Sequence, residues 1–591
     1  MENKVLEEML NELLELKHII TSDKQSDNRS LDNLNSYVKL RSLDISKLQN
    51  QLTSIGLSSL GRAQSCVLNS LNQDIVILSK LLHKEYTDTN SAITFDEAKS
   101  IMIENSKIFG RVNDNFLTKV MVTLPSEAKE SPELISNLIA NGTSVFRINT
   151  AHDDAATWNT MARYIKDENL KQNRNVKIYV DLAGPKNRTG SIKRVFNPFK
   201  IGSWRDPKLV KLLSNKKQDV YTAKGDPSTL VVTEEFYELC KQNSKLKIDD
   251  FERERVQTYD IIKQDDQLFI NANKKITIFE DTTLSIDNKV IKNISKLYNL
   301  YHQPIELRVF CEDKVIITDH DIIGQNDFYY DGEKYAAVIG TTNKEIFKFI
   351  APGDEIFIDD GKIGLTILKI NDIGVVCKVF LAKENGTVIK EEKGINFPNT
   401  DLDISAITQT DERNFEDIVD FADIIGLSFA QTANDIKKLQ NMLEAKGKTS
   451  VAIAPKIETK TALENLPDIL KQLLKWENYA IMIARGDLAI EVGFDNLPYI
   501  QDEIFGICEA AHVPVIYATQ ILEGKMKNNL PTRAEVTDAA NAQRADCVML
   551  NKGPFVVDTV IAIKNILRNI HKLHQKNRQL FSVCETWKAK N

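Results

Sequence analysis

Eight short runs rich in β-branched and apolar residues recur along the chain, each followed by a segment with helical spacing, and this alternation leaves few architectures open. The runs are TKVMVTL (118–124), TSVFRIN (143–149), VKIYVDL (176–182), ADIIGLSF (422–429), SVAIAPKIE (450–458), YAIMIARGD (479–487), PVIYAT (514–519) and DCVMLN (546–551). A helix after every strand forces parallel pairing, and eight such units close into a (β/α)8 barrel, the TIM barrel of the α/β class. Such a barrel carries its chemistry at the C-terminal ends of its strands. Arg147, Asn149, Asp181, Lys456, Glu458, Asp487 and Thr519 all fall there.

The alternation is broken once. Between the third and fourth runs lie some two hundred residues of strand-like pattern with few helices, read as a β-rich domain inserted after strand 3 and placed over the barrel mouth. Before the barrel, Val5, Leu6, Met9, Leu10, Leu13, Leu16 and Ile20 recur at helical spacing, and the pattern stays helical to about residue 110. The expected domains are a helical N-terminal extension (1–115), the barrel (116–188 and 401–575), the inserted domain (189–400) and a polar tail (576–591). The extension carries no cluster of catalytic residue types and reads as a docking or oligomerisation element.

Charge and cysteine content narrow the partners. The formal net charge is −7, so no basic excess points to nucleic acid. No stretch approaches the eighteen or so apolar residues of a membrane span, and MENKVLEEML is not a secretory leader. The 7 cysteines include no CxxC pair, which fits free thiols and a cytoplasmic protein.

The strand ends suggest a reaction class. Residues two apart in a strand share a face, so Lys456 and Glu458 point into the mouth together. Glu458 and Asp487, from adjacent strands, suit a hard divalent ion, Mg2+ or Mn2+, which takes few carboxylates and completes its shell with water and substrate. The LAIEVG after Asp487 can open a short helix whose free N–H groups bind a carboxylate or phosphate. Arg147 and Arg188 add fixed charge for phosphate oxygens. Any one of these reads equally well as a structural ion pair. Gathered on five strand ends, they would be costly to bury without a metal and anions, and the set reads as phosphoryl transfer.

These residues sit in motifs that resemble pyruvate kinase. FRINTAH (146–152) resembles the family's RLNFSH, VDLAGPKNRTG (180–190) its DTKGPEIRTG, IDDGKIGL (358–365) its VDDGLI and KGINFPN (393–399) its KGVNLPG. PKIET (455–459) is similar to SKIEN, ARGDLAIEV (484–492) to ARGDLGIEI, ATQILEGKM (518–526) to ATQMLESM and LPTRAEVTDAANA (530–542) to PTRAEVSDVANA. The resemblance implies conversion of phosphoenolpyruvate and ADP to pyruvate and ATP in glycolysis. On matching positions, Glu458 and Asp487 would bind the divalent metal and Lys456 would stabilise the phosphoryl group and enolate. Arg147 would hold the phosphate, Thr519 would lie where the proton arrives, and the backbone at Gly486 and Asp487 would take the substrate carboxylate. Arg188, His152, Asn149, Lys393 and Asp360 would serve the nucleotide side or the closing lid. The resemblance also places Arg533 near a subunit contact, implying a homo-oligomer.

The departures carry expectations too. Relatives that need K+ hold it with side chains matching Asn149, Ala151, Asp181 and Leu182, and here Ala151 and Leu182 offer no ligand oxygen. Lys186 replaces the Glu of GPEIR, so its ammonium is expected to stand in for the monovalent cation, and K+ is not required. Asn551 and Lys552 replace a hydroxyl and a carboxylate after the last strand, where proton delivery is expected to differ. Two rivals follow: a catalytically weak, pyruvate-kinase-like protein that binds phosphoenolpyruvate for regulation, and a metal-dependent enolate enzyme acting on another 2-oxo acid.

Overall fold

The computed structural model describes residues 3–22, 26–87, 92–110, 118–196, 198–203, 208–216, 228–250, 255–264, 267–288, 291–297, 302–576 and 578–579. The tail expected from 576 onward lies almost wholly outside them. Eight parallel strands close into a barrel: β1 (Lys119–Thr123), β2 (Val145–Asn149), β3 (Lys177–Leu182), β4 (Ile424–Leu427), β5 (Ala452–Ile457), β6 (Ile481–Ala484), β7 (Val515–Ala518) and β8 (Cys547–Leu550). Each lies inside one of the eight sequence runs. The ring shuts where β1 pairs with β8, Val120 opposite Val548 and Met121 opposite Met549.

Period-two alternation sorts the side chains. Val120 and Val122, Ile178 and Val180, Ile453 and Ile457 face outward and pack with the surrounding helices. Met121, Val145, Tyr179, Ile424, Ala452, Ala454, Met482, Ile516 and Ala518 fill the interior. Continuing the inward parity toward the C-terminal ends brings Arg147 after Val145, Asp181 after Tyr179, Gly426 and Ser428 after Ile424, and Lys456 and Glu458 after Ala454. The interior changes from apolar to charged within two residues on several strands at once.

The chain divides into two compact units, one made of 1–188, 342–370 and 394–591, the other of 189–341 and 371–393. The second unit is the β-rich insertion after β3. It holds a seven-stranded sheet, in which Lys245–Asp250 and Gln267–Ala272 flank Arg255–Gln264 and the helix Glu234–Gln242 supplies Phe236 and Cys240 to the core. A further ladder in this unit runs Gln325–Tyr330, Glu333–Gly340, Lys314–Thr318 and Gly374–Leu381. The hairpin of Glu355–Ile358 with Ile363–Asn371, which bears Asp360, belongs chiefly to the first unit.

The N-terminal extension is helical, as its spacing predicts. Asn3–Ile20 buries Met9, Leu10, Leu13, Leu16 and Ile20, and with Arg29–Arg41, Ser46–Ser54 and Val67–Leu81 it forms a core that also takes in Ile507 and Ala510 of the barrel helix Leu497–Ala510. The extension is therefore part of the barrel's unit. Asn33 fastens it, its Nδ2 donating to Ala510 O at 2.8 Å and its Oδ1 accepting from Val67 N at 2.8 Å. Further along, Phe109 enters the apolar interior of the barrel and is fully buried there.

His512 lies in this seam, 1% exposed. Its Nε2 faces the Ser65 carbonyl at 2.8 Å and must donate, so Nδ1 accepts from Ser30 Oγ at 2.9 Å and the ring is neutral. Burial pushes its pKa down to about 4, against 6.5 for a free imidazole. A histidine with a lowered folded pKa binds fewer protons folded than unfolded, so its contribution is complete above pH 6.5 and is lost as pH falls toward 4. Thermal or denaturant unfolding should show about 3 kcal/mol less stability at pH 4 than at pH 7 from this group, and His512→Gln should remove that part of the slope.

Candidate active site

Three cations and three carboxylates converge at the C-terminal ends of β2 to β6. Arg147 donates from Nε to Asp181 Oδ2 at 2.6 Å, its guanidinium also pairs with that carboxylate through Nη2, and Nη1 reaches Thr123 Oγ1 at 3.2 Å. Lys456 Nζ lies 2.9 Å from Glu458 Oε1, 3.1 Å from Ser428 Oγ and 3.9 Å from Asp181 Oδ2. Lys186, from the loop after β3, sets its ammonium 2.8 and 2.9 Å from the two oxygens of Asp487. The six charges sum to zero.

Each ionisation is fixed by its neighbours. Burial alone would discharge Arg147 and Lys456, but Asp181, and for Lys456 also Glu458, raise both above their ordinary values. Burial works against the Asp181 carboxylate, yet Arg147 and Lys456 keep it below the usual range. Burial likewise opposes Asp487, and Lys186 more than offsets it. Glu458 is the exception: burial pushes it up, the negative charge of Asp487 adds to the rise, and Lys456 only partly compensates. Its Oε2 accepts from Phe429 N at 2.7 Å.

Below this layer, Asp181 Oδ1 and the Tyr179 hydroxyl face each other over Gly426 without a well-formed hydrogen bond. A Cβ at 426 would overlap both oxygens, so the position must be glycine.

A second constraint sits at β6 and β7. The helix Arg485–Val492 begins three residues earlier than the sequence suggests, so Arg485, Gly486 and Asp487 form its first turn, and no side chain caps it. Thr519, just past β7, has φ 77°, a left-handed conformation that a β-branched residue adopts only under constraint. Arg485 supplies that constraint, donating to Ala518 O at 3.0 Å and Thr519 O at 2.7 Å while pairing with Asp538 at 2.6 Å. The Thr519 side chain consequently lies over Gly486, where a Cβ would meet Thr519 Cγ2 at 2.8 Å. Thr519 and the free N–H groups of the first turn thus border one space.

The other predicted residues are placed as follows. Asn149 ends β2 and accepts from Ala151 N at 3.0 Å. His152 is exposed, and its imidazole is held below the ordinary value by desolvation and by Lys552, Arg188 and Arg147, which marks one side of the mouth as cationic. Arg188 bridges to Gly394 through its backbone and accepts the Thr342 N–H on its carbonyl. Asp360 is exposed in a left-handed turn at φ 56°, whose Gly361 approaches Ile490 and Phe494. Lys393 belongs to the second unit, where its carbonyl accepts from Thr189 N and its N–H donates to Thr189 Oγ1, each at 2.8 Å. Sequence reasoning did not single out Ser428, Arg485, or Asn396, which reaches Asp487 Oδ1 at 3.5 Å. Asn396 lies inside the KGINFPN motif and Arg485 inside ARGD, but only the fold shows what they touch.

Glu458 and Asp487 bring the oxygen chemistry that a hard divalent cation takes, and in this structure Lys456, the Phe429 N–H and Lys186 engage those oxygens. Burial first, and the charge of Asp487 in addition, raise Glu458, and a third charged ligand is not required by an ion that prefers water and substrate oxygens. Among the described residues no three His, Cys, Asp or Glu side chains converge on one point.

Comparison with known proteins agrees with this geometry. A family model described as the barrel domain of pyruvate kinase matches residues 304–556, which include β4 to β8. The chain is 32% identical over 321 residues to a pyruvate kinase of Methanocaldococcus jannaschii, covering 53% of this chain and 68% of the relative. It is 36% identical over 255 residues to one of Hypocrea jecorina, covering 41% and 44%, and 36% identical over 252 residues to one of Agrobacterium vitis, covering 41% and 50%. The chain thus spans about half the length of the latter two relatives.

Gly426→Ala is expected to separate Tyr179 from Asp181 and to cost about 1–3 kcal/mol in denaturant unfolding. If stability were unchanged, the close packing beneath the charged layer would be wrong.

Proposed function

We propose that this chain, which belongs to the pyruvate kinase family, transfers the phosphoryl group of phosphoenolpyruvate to ADP, giving pyruvate and ATP, and does so without K+. The observation that carries the reading is the neutral layer of Arg147, Lys456 and Lys186 with Asp181, Glu458 and Asp487, set beside an uncapped helix turn.

In the reaction the bond from the enol oxygen to phosphorus breaks, a β-phosphate oxygen of ADP takes the phosphoryl group, and the enolate gains a proton at its methylene carbon. Negative charge passes from the phosphoryl group to the enol oxygen, so fixed cations close to both lower the barrier. Arg147, held rigid by Asp181 and Thr123, supports the phosphate. Lys456 keeps its charge through Glu458 and Asp181, and its ammonium stabilises both the transferring group and the enolate. The N–H groups of Gly486 and Asp487 receive the substrate carboxylate at the positive end of the helix. Thr519 borders the face that is protonated.

Glu458 and Asp487 would hold the divalent cation, Mg2+ or Mn2+, which supplies charge stabilisation to the phosphoryl oxygens. Arg188, His152, Asn149, Asp360 and Lys393 are assigned to the nucleotide. Lys186 offers a permanent positive charge in place of the monovalent ion whose ligands Ala151 and Leu182 cannot supply. A homo-oligomer in the cytoplasm is the corresponding expectation for the assembled protein.

One observation favours a second reading. The Lys186 ammonium occupies both oxygens of Asp487, an arrangement suited to a protein that binds phosphoenolpyruvate and turns it over slowly.

Pyruvate formation from phosphoenolpyruvate and ADP with Mg2+ decides between them. The expected result is equal rates in choline, Na+ and K+ buffers, with Lys456→Ala lowering kcat by about 10²–10³-fold. Negligible turnover in every buffer together with Mg2+-dependent phosphoenolpyruvate binding would establish the regulatory protein instead. Activity only with K+ would remove the role given to Lys186.

A further inference from the structure

Of the three cations in the charged layer, Lys186 depends on the fewest partners. Arg147 has Asp181 and Thr123, and Lys456 has Glu458, Ser428 and, at 3.9 Å, Asp181. Among the described residues the Lys186 ammonium pairs with Asp487 alone, taking both carboxylate oxygens at 2.8 and 2.9 Å. The Phe429 ring, its centroid 5.7 Å from Nζ, adds a weaker attraction. The stem passes close to Gly394, where a Cβ would stand 3.2 Å from Lys186 Cε. The lysine is therefore fitted to this position at its stem and at its head.

Asp487 is also one of the two carboxylates assigned to the divalent cation, so two cations have a claim on one side chain. The side chains of Lys186 and Asp487 are only 24% and 15% exposed, and parting them strands two poorly solvated charges. The carboxylate regains a partner when a metal ion takes it. The ammonium does not, because nothing else among the described residues offers it a negative charge.

The charge of the whole layer leads to the same conclusion. Its three cations and three carboxylates cancel, so a divalent ion entering alone leaves it two charges positive. A substrate with phosphate and carboxylate oxygens answers both needs, since those oxygens accept from the released ammonium and balance the added charge. The pair thus opens at least cost as an exchange of partners. Lys456 is under no such restriction, because leaving Glu458 would still keep it beside Ser428 and Asp181.

Resting on the metal assignment of Glu458 and Asp487 given above, we propose that Lys186 is a built-in competitor for the divalent cation. Its ammonium holds Asp487 until an anionic substrate draws it away, which keeps metal affinity low without phosphoenolpyruvate and raises it when phosphoenolpyruvate binds. The shift has a stated source: the ammonium pairs with Asp487 in one state and with substrate oxygens in the other. By linkage, the factor that the substrate adds to metal affinity is the factor that the metal adds to substrate affinity.

The test counts free Mn2+ by electron paramagnetic resonance during titration of the full chain, with and without phosphoenolpyruvate and always without ADP, so that turnover does not enter the readout. Lys186→Met, uncharged and similar in length, is expected to bind Mn2+ about tenfold more tightly than the native chain when no substrate is present. It should also lose most of the tightening that phosphoenolpyruvate produces in the native chain. Lys186→Arg keeps the charge and should stay close to the native affinity. Lys552 is exposed at the cationic side of the mouth and makes no ion pair among the described residues, so Lys552→Met should change Mn2+ affinity by no more than about twofold. That comparison separates competition at Asp487 from the general field of the mouth. Equal Mn2+ affinity in the native chain and Lys186→Met, an equal gain from Lys552→Met, or Lys186→Arg binding as tightly as Lys186→Met would each overturn the competitor and leave the phosphoryl-transfer reading standing. Absence of Mn2+ binding in native and variant chains alike, with and without phosphoenolpyruvate, would overturn the metal assignment and the competitor with it.

Discussion

The buried ion layer at the barrel mouth is the interaction on which the surrounding structure depends. Six charged side chains at low dielectric are tolerable only because every one has an opposite charge within reach, and removing a single partner would strand the other. Arg147 and Asp181 lock two adjacent strands, Lys456 spans from Asp181 to Glu458, and Lys186 closes the set on Asp487. Arg147, Asp181, Lys456 and Glu458 then need inward-facing positions at the right height along or just past their strands. The barrel provides that by keeping strict parity from an apolar lower interior, with Phe109 among its buried residues, to a charged upper one.

Parity is also why so much could be read in advance. Eight apolar runs separated by helical spacing admit one common closed solution, and the structure supplies it strand for strand. Inward-facing residues follow from counting by two, so Lys456 with Glu458 was legible as a pair without coordinates. The helices of the extension were legible for the same reason at a different period, as Met9, Leu13, Leu16 and Ile20 show.

What could not be read depends on contacts between segments far apart in sequence. Lys186 and Asp487 are separated by 301 residues, and nothing local says that the ammonium lies on that carboxylate. Asn33 meets Ala510 across 477 residues, which turns an amphipathic arm into an integral part of the barrel's unit. Ser428 was passed over because an isolated serine at a strand end carries no pattern; it matters only because Lys456 Nζ comes within 3.1 Å of it. The start of the helix Arg485–Val492 was misjudged by three residues for a related reason. Arg485 looks like a poor first residue by local preference, but its tertiary bonds to Ala518 O, Thr519 O and Asp538 fix it there.

Those bonds continue outward through the barrel wall. Arg544 lies over the Phe505 ring, 4.8 Å from its centroid, and Phe505 stacks on Tyr517 at 5.9 Å. The Tyr517 hydroxyl bonds to Asp538 at 2.8 Å, and both engage Arg485, the residue preceding Gly486 and Asp487. Thr519 is the one residue on this route whose conformation is held against its own preference, at a cost of about 1–3 kcal/mol. A shift of Asp538 would loosen Arg485, and with it both the hold on the Thr519 carbonyl and the turn that carries Asp487. Arg485 therefore sets the geometry of the helix turn and the position of Asp487 in the ion layer together.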